Sequence, residues 1–371
     1  MKGLDLSEQF YWEMVRPILE RRFPTLLERH AAGLIGYGSD VLGHDDALSR
    51  DHEWGARCHL WLLESDYDEV AALLNEALHE ELPFTYKGFP VRFSLDDCNE
   101  VLIPYNGSTN LHHVAITTVQ RHRRIQLGLQ SSRPSMLDWL VIPEQKLLEW
   151  TRGRIFTDPV GDISQMRETL SYLPDEVWRF KLKNAWSSFS LLRVARLTDR
   201  RGESLSARLV INRMVEKAVQ LIFLYHKKYR PGTYKWISRE LSQISPLADQ
   251  MGKQLEGALM EISIPRAVEQ IEMVLDQLFV QHNELKLTEP LTLQPPPPYA
   301  RGMQTYSYKS IEEALFASLP EELKQMELSG AVDQFVTNED ILIWADHYTK
   351  FKPLFMMKSD IERTGIGDMI V

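Results

Sequence analysis

Residues 36–55 read GYGSDVLGHDDALSRDHEWG, four glycines and five acidic side chains directly after the apolar run HAAGLI at 30–35. A short apolar segment that ends in glycine has the pattern of a buried strand that turns sharply. Gly38 lets the backbone approach a phosphate closely, and Ser39 adds a hydroxyl and an amide at a turn into an expected short helix. Eleven residues separate Ser39 from Asp51, and Glu53 follows after one intervening residue. On a strand, side chains two apart share a face, so Asp51 and Glu53 can reach one divalent ion or a pair. Oxygen-only ligands suit Mg²⁺ or Mn²⁺, which keep several waters and complete their shell from substrate phosphates. In this order the parts are expected to hold a nucleoside triphosphate, such as ATP, and its bridging metal. The structural alternative is a polar loop leading to a solvated strand face.

Outward from that stretch, residues 8–30 carry Phe10, Met14, Val15, Ile18 and Leu19 at helical spacing. HEWGARCHLWLLE (52–64) predicts a second strand, and SDYDEVAALLNEALHEEL (65–82) a helix capped by Ser65. FPVRFSL (89–95) and HHVAITTV (112–119) are of strand length and composition. The first 143 residues therefore predict a small mixed sheet with helices, an α+β arrangement. From 144 to 290 the runs turn helical, with Pro and Gly between them, as in an antiparallel bundle. Residues 291–371 hold LQPPPPY, a stiff connector, then a helix over SIEEALFASLPEELKQM and a mixed final element.

The chain has 371 residues, 44% hydrophobic and 25% charged, as in soluble globular proteins, and that length predicts more than one domain. No apolar run is long enough to span a bilayer, and acids stand near the N-terminus where a signal peptide would be basic, so a cytoplasmic location is expected. Two cysteines, Cys58 and Cys98, cannot build a disulfide framework or a thiolate metal site and read as buried small residues. A net charge of −10 weighs against an extended nucleic-acid surface. Sequence leaves the oligomeric state open.

Gly38, Ser39, Asp51 and Glu53 resemble the signature of the polymerase-beta-like nucleotidyltransferases, the superfamily that includes kanamycin and other aminoglycoside nucleotidyltransferases. More narrowly, residues 36–55 with LDWLVIPEQKLLEWTRGRIFTDPVG (137–161), YLPDEVWRFKLKNAW (172–186), YKWI (234–237) and GAVDQFVTNEDIL (330–342) resemble the DUF4037 family over nearly the whole chain. The resemblance implies a nucleotidyltransferase domain followed by a helical domain. It also implies a third carboxylate, a metal ligand or general base. HHVAITTV has none, so Asp138 is the first candidate and Asp96 or Asp97 the next; for Asp138 the alternative is a helix cap. Lys235, between Tyr234 and Trp236, is by the same resemblance the candidate lysine on the triphosphate.

The expected activity is Mg-dependent transfer of a nucleoside monophosphate, AMP foremost, to a hydroxyl-type acceptor with release of pyrophosphate. Acidic charge favours a small molecule or a protein over RNA as acceptor. The alternative is a catalytically degenerate nucleotide-binding or protein-interaction module. Of the other polar residues, His52 is expected to pack or hydrogen-bond. His112 and His113 point to opposite faces as a poor metal pair, though His113 could face the site. Asp45, Asp46 and Arg50 either clamp their loop or touch substrate. Trp178, Phe180, Trp186 and Phe189 read as bundle core rather than a stacking platform.

Overall fold

A computed structural model describes residues 1–50, 54–96, 102–232, 234–293 and 307–356. The fold is α+β, and the chain divides into two compact units: Met1–Pro134 with Lys146–Ser171, and Ser135–Gln145 with Tyr172–Val371.

The first unit opens with α1 (Gly3–Phe10), a π-turn (Tyr11–Val15) and α2 (Arg16–Arg22). The helical stretch thus starts earlier than expected and ends at Arg22, because Phe23 precedes Pro24 and that position disfavours the helical conformation. Next come β1 (His30–Leu34), β2 (Cys58–Leu62), α3 (Glu64–Glu81) and the short strands β3 (Thr85–Tyr86), β4 (Phe89–Pro90), β5 (Arg92–Leu95), β6 (Leu102–Pro104) and β7 (Leu111–His112). Leu63, not Ser65, is the N-cap of α3; Ser65 lies inside the first turn and donates to Asp66 at 2.9 Å. β8 (Val114–Thr118) and α4 (Val119–Leu127) follow. α5 (Met136–Val141) belongs to the second unit, and α6 (Glu144–Thr151) leads back into the first, which ends with β9 (Arg154–Thr157) and α7 (Asp162–Thr169).

The principal sheet runs β8-β2-β1-β9, with β2 parallel to β8 and β1 antiparallel to both β2 and β9. Strand periodicity sorts its faces. Ala32 and Leu34, Cys58, Leu60 and Leu62, Val114 and Phe156 enter one core with Leu6, Phe10 and Leu19 of the first helices and Leu74 and Leu78 of α3. β9 lies beyond residue 143, where only helices were expected, so the first unit extends past that boundary. Its backbone is admitted by Gly33, where a Cβ would stand 2.6 Å from the Arg154 carbonyl oxygen.

The second unit contains α8 (Asp175–Ser187), α9 (Leu192–Arg200), α10 (Ser204–Tyr225), α11 (Ile237–Ile244), α12 (Pro246–Met260) and α13 (Ile264–Glu284). α10 packs against α8, α9, α12 and α13. Trp178, Phe180, Trp186 and Phe189 are buried in this bundle, and the two indole N–H groups donate to Leu224 O and Tyr225 Oη, each at 2.8 Å. The C-terminal stretch adds α14 (Lys309–Ala317), α15 (Glu321–Lys324), α16 (Glu339–Ile343) and α17 (Ala345–Tyr348) to the same unit rather than forming a separate extension. Pro320 splits the single helix expected over 310–326 into α14 and α15. The proline run at 295–298 lies outside the described residues.

Candidate functional site

The Gly-Ser turn stands directly after β1. Gly36 N–H donates to Glu149 O at 2.9 Å, which anchors the start of the loop within the first unit. From Ser39 the chain proceeds as successive turns rather than the expected short helix, closed by Leu42 N–H to Gly38 O at 3.2 Å and His44 N–H to Ser39 O at 2.8 Å. Among the described residues, the N–H groups of Gly38 and Ser39 and the Ser39 hydroxyl make no hydrogen bond. That leaves a half-buried pair of backbone donors and a hydroxyl for an external acceptor.

A buried ion pair holds this turn. Arg57, just before β2, donates to Asp40 through Nη2 at 2.6 Å and Nε at 3.2 Å, and its Nη2 also donates to Tyr37 O at 3.0 Å. Asp40 further accepts from Val41 N–H at 2.9 Å. Side-chain exposure is 8% for Arg57 and 2% for Asp40, so water does little to screen the pair. Gly38 adopts φ +138°, and a Cβ there would overlap Asp40 Oδ1 and Arg57 Nη2. The pair thus fixes why this position is glycine. Sequence reasoning missed both residues; an arginine inside the apolar run ARCHLWLL was the available signal.

The acidic loop that follows is tied to the N-terminal helix. Asp45 accepts from Gly3 N–H at 2.9 Å and from the Trp54 indole at 3.2 Å, and Lys2 Nζ stands 3.2 Å away. Asp46 caps the turn Ala47–Ser49 through Leu48 N–H, and Arg50 stacks 4.5 Å over Trp54. These are the clamp roles set out as one of two readings. Asp51, His52 and Glu53 lie outside the described residues, as do Asp97 and Cys98; the second strand itself starts at Cys58, with 54–57 preceding it as non-strand chain. Asp96 follows β5 and is half-buried.

On the face of the sheet opposite the core, His59 and Trp61 project beside the small residues Ala31 and Gly33. His122 of α4 stacks on both rings at 4.8 and 5.8 Å, accepts from Trp61 Nε1 at 2.9 Å, and meets Trp150 of α6 at 4.9 Å. His113 joins β7 to β8 beside Phe93 and Arg57. His112 instead lies near Asn75 O at 3.4 Å, and no metal-binding group of acids, histidines and cysteines occurs among the described residues. Burial first, then Arg57, holds His113 at about 3; burial, then Lys146, holds His122 at about 4; burial, then His122, holds His59 well below 6.5.

These histidines are neutral in the fold but charge below about 6.5 in the unfolded chain, so acid favours unfolding. His122 alone, titrating near 4 instead of 6.5, contributes about 3 kcal/mol of lost stability. Hydrogen exchange measured from pH 7 to pH 4 is expected to show protection in β1 and β2 falling progressively below about 6.5, and less steeply in His122→Gln. Flat protection over that range would show that the imidazoles are hydrated.

In the second unit, Asp138 and Ser135 form a capping box at the start of α5. Asp138 Oδ2 accepts from Ser135 N–H at 2.8 Å and Oγ at 2.7 Å, while Oδ1 pairs with Lys352 at 2.6 Å. Burial raises this carboxyl, but the hydrogen bonds from Lys352 and Ser135 outweigh it and hold it below the usual range. Its oxygens are thus occupied in the capping role already named as its alternative. Lys235 is exposed in the short turn Tyr234–Trp236, with Nζ 5.1 Å from the Trp236 ring centre.

Residues 139–237 match the protein-family model for a domain of unknown function, DUF4037. The DUF4037 resemblance is shown over that span. It runs from Trp139 in α5 to Ile237 at the start of α11 and so takes in Lys235. No curated protein matches the chain. A solved structure, that of a nucleotidyltransferase-like protein from Exiguobacterium sibiricum 255-15, matches at 10% identity over 78% of this chain and 82% of its own, with a TM-score of 0.33. No helix among the described residues is long and apolar enough to cross a membrane.

Proposed function

We propose that the protein is a nucleotidyltransferase that moves a nucleoside monophosphate, AMP foremost, from a nucleoside triphosphate to a hydroxyl-type acceptor. The observation that carries this reading is the Gly38–Ser39 turn: its N–H groups have no acceptor among the described residues, and the buried Asp40–Arg57 pair holds the backbone in place. Backbone donors at such a turn suit phosphate oxygens. Two carboxylates two positions apart form a hard oxygen donor set, so Asp51 and Glu53 are the proposed ligands of Mg²⁺ or Mn²⁺. The ion would neutralise charge on the triphosphate. Lys235 is the proposed further contact to phosphate.

In the transfer, the acceptor oxygen bonds to the α-phosphorus, the bond from that phosphorus to the bridging oxygen breaks, and pyrophosphate leaves. Asp138 is the proposed base; to take the acceptor proton its carboxylate must first part from Lys352. A small molecule or a protein side chain is the proposed acceptor, in a cytoplasmic setting.

A second reading, a nucleotide-binding or interaction module without transfer, is favoured by a different observation. β8, the strand parallel to β2, offers no carboxylate, and Asp138 is engaged as a cap.

The test is pyrophosphate release from each of the four ribonucleoside triphosphates with Mg²⁺ or Mn²⁺, with cell extract as acceptor source. Asp51→Asn/Glu53→Gln is expected to lower release by about 10²–10³-fold, the scale of losing a group that stabilises transition-state charge. In the same assay Asp138→Asn reduces release if it acts as base and lowers only the melting temperature if it acts as cap. Mg-ATP binding with no release by the unmodified chain would support the second reading.

A further inference from the structure

The helical unit contains an open cavity of about 620 Å³, within the size range of small-molecule sites. Its apolar wall includes Val219 of α10, Leu241 of α11 and Leu255 and Leu259 of α12; Lys217 and Arg230 line it as well. Lys217 is buried, and among the described residues its ammonium donates to neutral groups, the Gln334 carbonyl and Gln220 Oε1. Arg230 spends its backbone N–H on Glu144 Oε2 at 2.7 Å, while its guanidinium reaches Pro231 O at 3.3 Å.

Three acids line the wall, Glu216, Asp333 and the exposed Glu256 of α12, and the first two are already engaged. Glu216 accepts from Tyr234 Oη at 2.9 Å, and Asp333 accepts from Lys181 at 2.9 Å and from Glu144 N–H at 2.9 Å. Among the described residues, no carboxylate stands within ion-pair distance of Lys217 or Arg230. Burial and then the neighbouring Arg230 and Arg213 press the Lys217 ammonium down to about 8, against the weaker opposing pull of the Asp333 and Glu216 carboxylates. Two cations beside one another on a partly apolar wall are what an anionic head with an apolar body would relieve.

We propose that this cavity binds a small amphipathic anion, with its carboxylate or phosphate head at Lys217 and Arg230 and its apolar body against Leu241, Leu255 and Leu259. The site is independent of the nucleotide reading. An anion seated there restores the charged form of Lys217, so binding near pH 8 draws a proton from the buffer.

Titration calorimetry on the full chain uses decanoate and decyl phosphate as probes, with decanol and inorganic phosphate supplying the apolar body and the head alone. At least one of the two anions is expected to bind tenfold or more tighter than either fragment, with heats near pH 8 that depend on the ionisation enthalpy of the buffer. Arg230→Gln and Leu259→Asp should each weaken binding at least tenfold, and Lys217→Met should abolish the buffer dependence. Leu259 is on the surface and Arg230 keeps its backbone contact, so circular dichroism of these two variants checks that the fold is retained even if Lys217→Met does not fold. Binding must survive in Asp51→Asn/Glu53→Gln, since loss there would place the anion in the nucleotide site and overturn the proposal. Equal affinity for decanol, equal affinity for phosphate alone, or indifference to Arg230→Gln would also overturn it.

Discussion

Arg57→Met is expected to lower the melting temperature of the first unit by about 10 °C, through a loss of about 3–5 kcal/mol for breaking a buried ion pair by removing one member. The cost comes less from the missing attraction than from what remains. Asp40 would keep its carboxylate at 2% exposure with Val41 N–H as its remaining described donor, and Tyr37 O would lose the guanidinium that now bonds it. Asp40→Leu/Arg57→Met removes both charges together, and replacement of a whole buried pair by apolar groups is often neutral. The double variant should therefore recover most of the stability, so that the coupling energy in the cycle is at least the roughly 3 kcal/mol lost in Arg57→Met alone. It should not recover nucleotide binding, because the Gly-Ser backbone would no longer be held at Tyr37. A double variant that bound Mg-ATP as tightly as the unmodified chain would detach the ion pair from the proposed site. Urea midpoints and ATP titrations on the four proteins give both readings.

How far the sequence discloses this arrangement depends on range. β1, β2, α3 and the long helices α8, α10 and α13 are legible because their periodicity is carried within a few residues. The order of Gly38, Ser39, Asp51 and Glu53 is legible for the same reason. β9 is hidden because RIFT is four residues between helical runs, and it becomes a strand only by pairing with β1, about 120 positions upstream. Nothing local marks Arg154 as the partner of Asp5 and Glu8. Asp40 and Arg57 stand 17 positions apart, and Asp40 reads as one more polar loop residue until the chain folds. Asp138 is ambiguous for a different reason: Ser-x-x-Asp before an apolar run is itself a cap signature, and the same carboxylate meets the expectation of a third acid. Lys181 stands 152 positions from Asp333, and only the fold reveals that Glu144 and Asp333 enclose it.

Lys181→Met is the corresponding break in the second unit. Lys181 is 1% exposed, and its ammonium lies 2.6 Å from Glu144 Oε1 and 2.9 Å from Asp333 Oδ1. Asp333 also takes Glu144 N–H at 2.9 Å, and Gln334 Nε2 donates to Lys181 O at 3.0 Å, so one cluster fastens the C-terminal segment to α8 and α6. Removing the cation strands two buried carboxylates, and a loss of about 3–5 kcal/mol at neutral pH is expected. The pH dependence identifies the cause. Burial raises the Asp333 carboxyl, yet Lys181 and then Arg230 hold it below its ordinary 3.8. Its contribution is therefore present above that value and lost as pH falls through the lower folded one. Burial lowers Lys181, but Asp333 and Glu144 carry it above 10.5, so its share is present below 10.5 and lost as pH rises through the folded value. In Lys181→Met the stranded Asp333 carboxylate takes up a proton more readily, so the gap in urea midpoint between variant and unmodified chain should be widest from about pH 5 to 9 and narrow towards pH 3. A gap independent of pH would assign the loss to packing of the lysine stem alone. Because Asp333 and Gln334 also line the cavity beside Lys217, the same variant should weaken decanoate binding at pH 7.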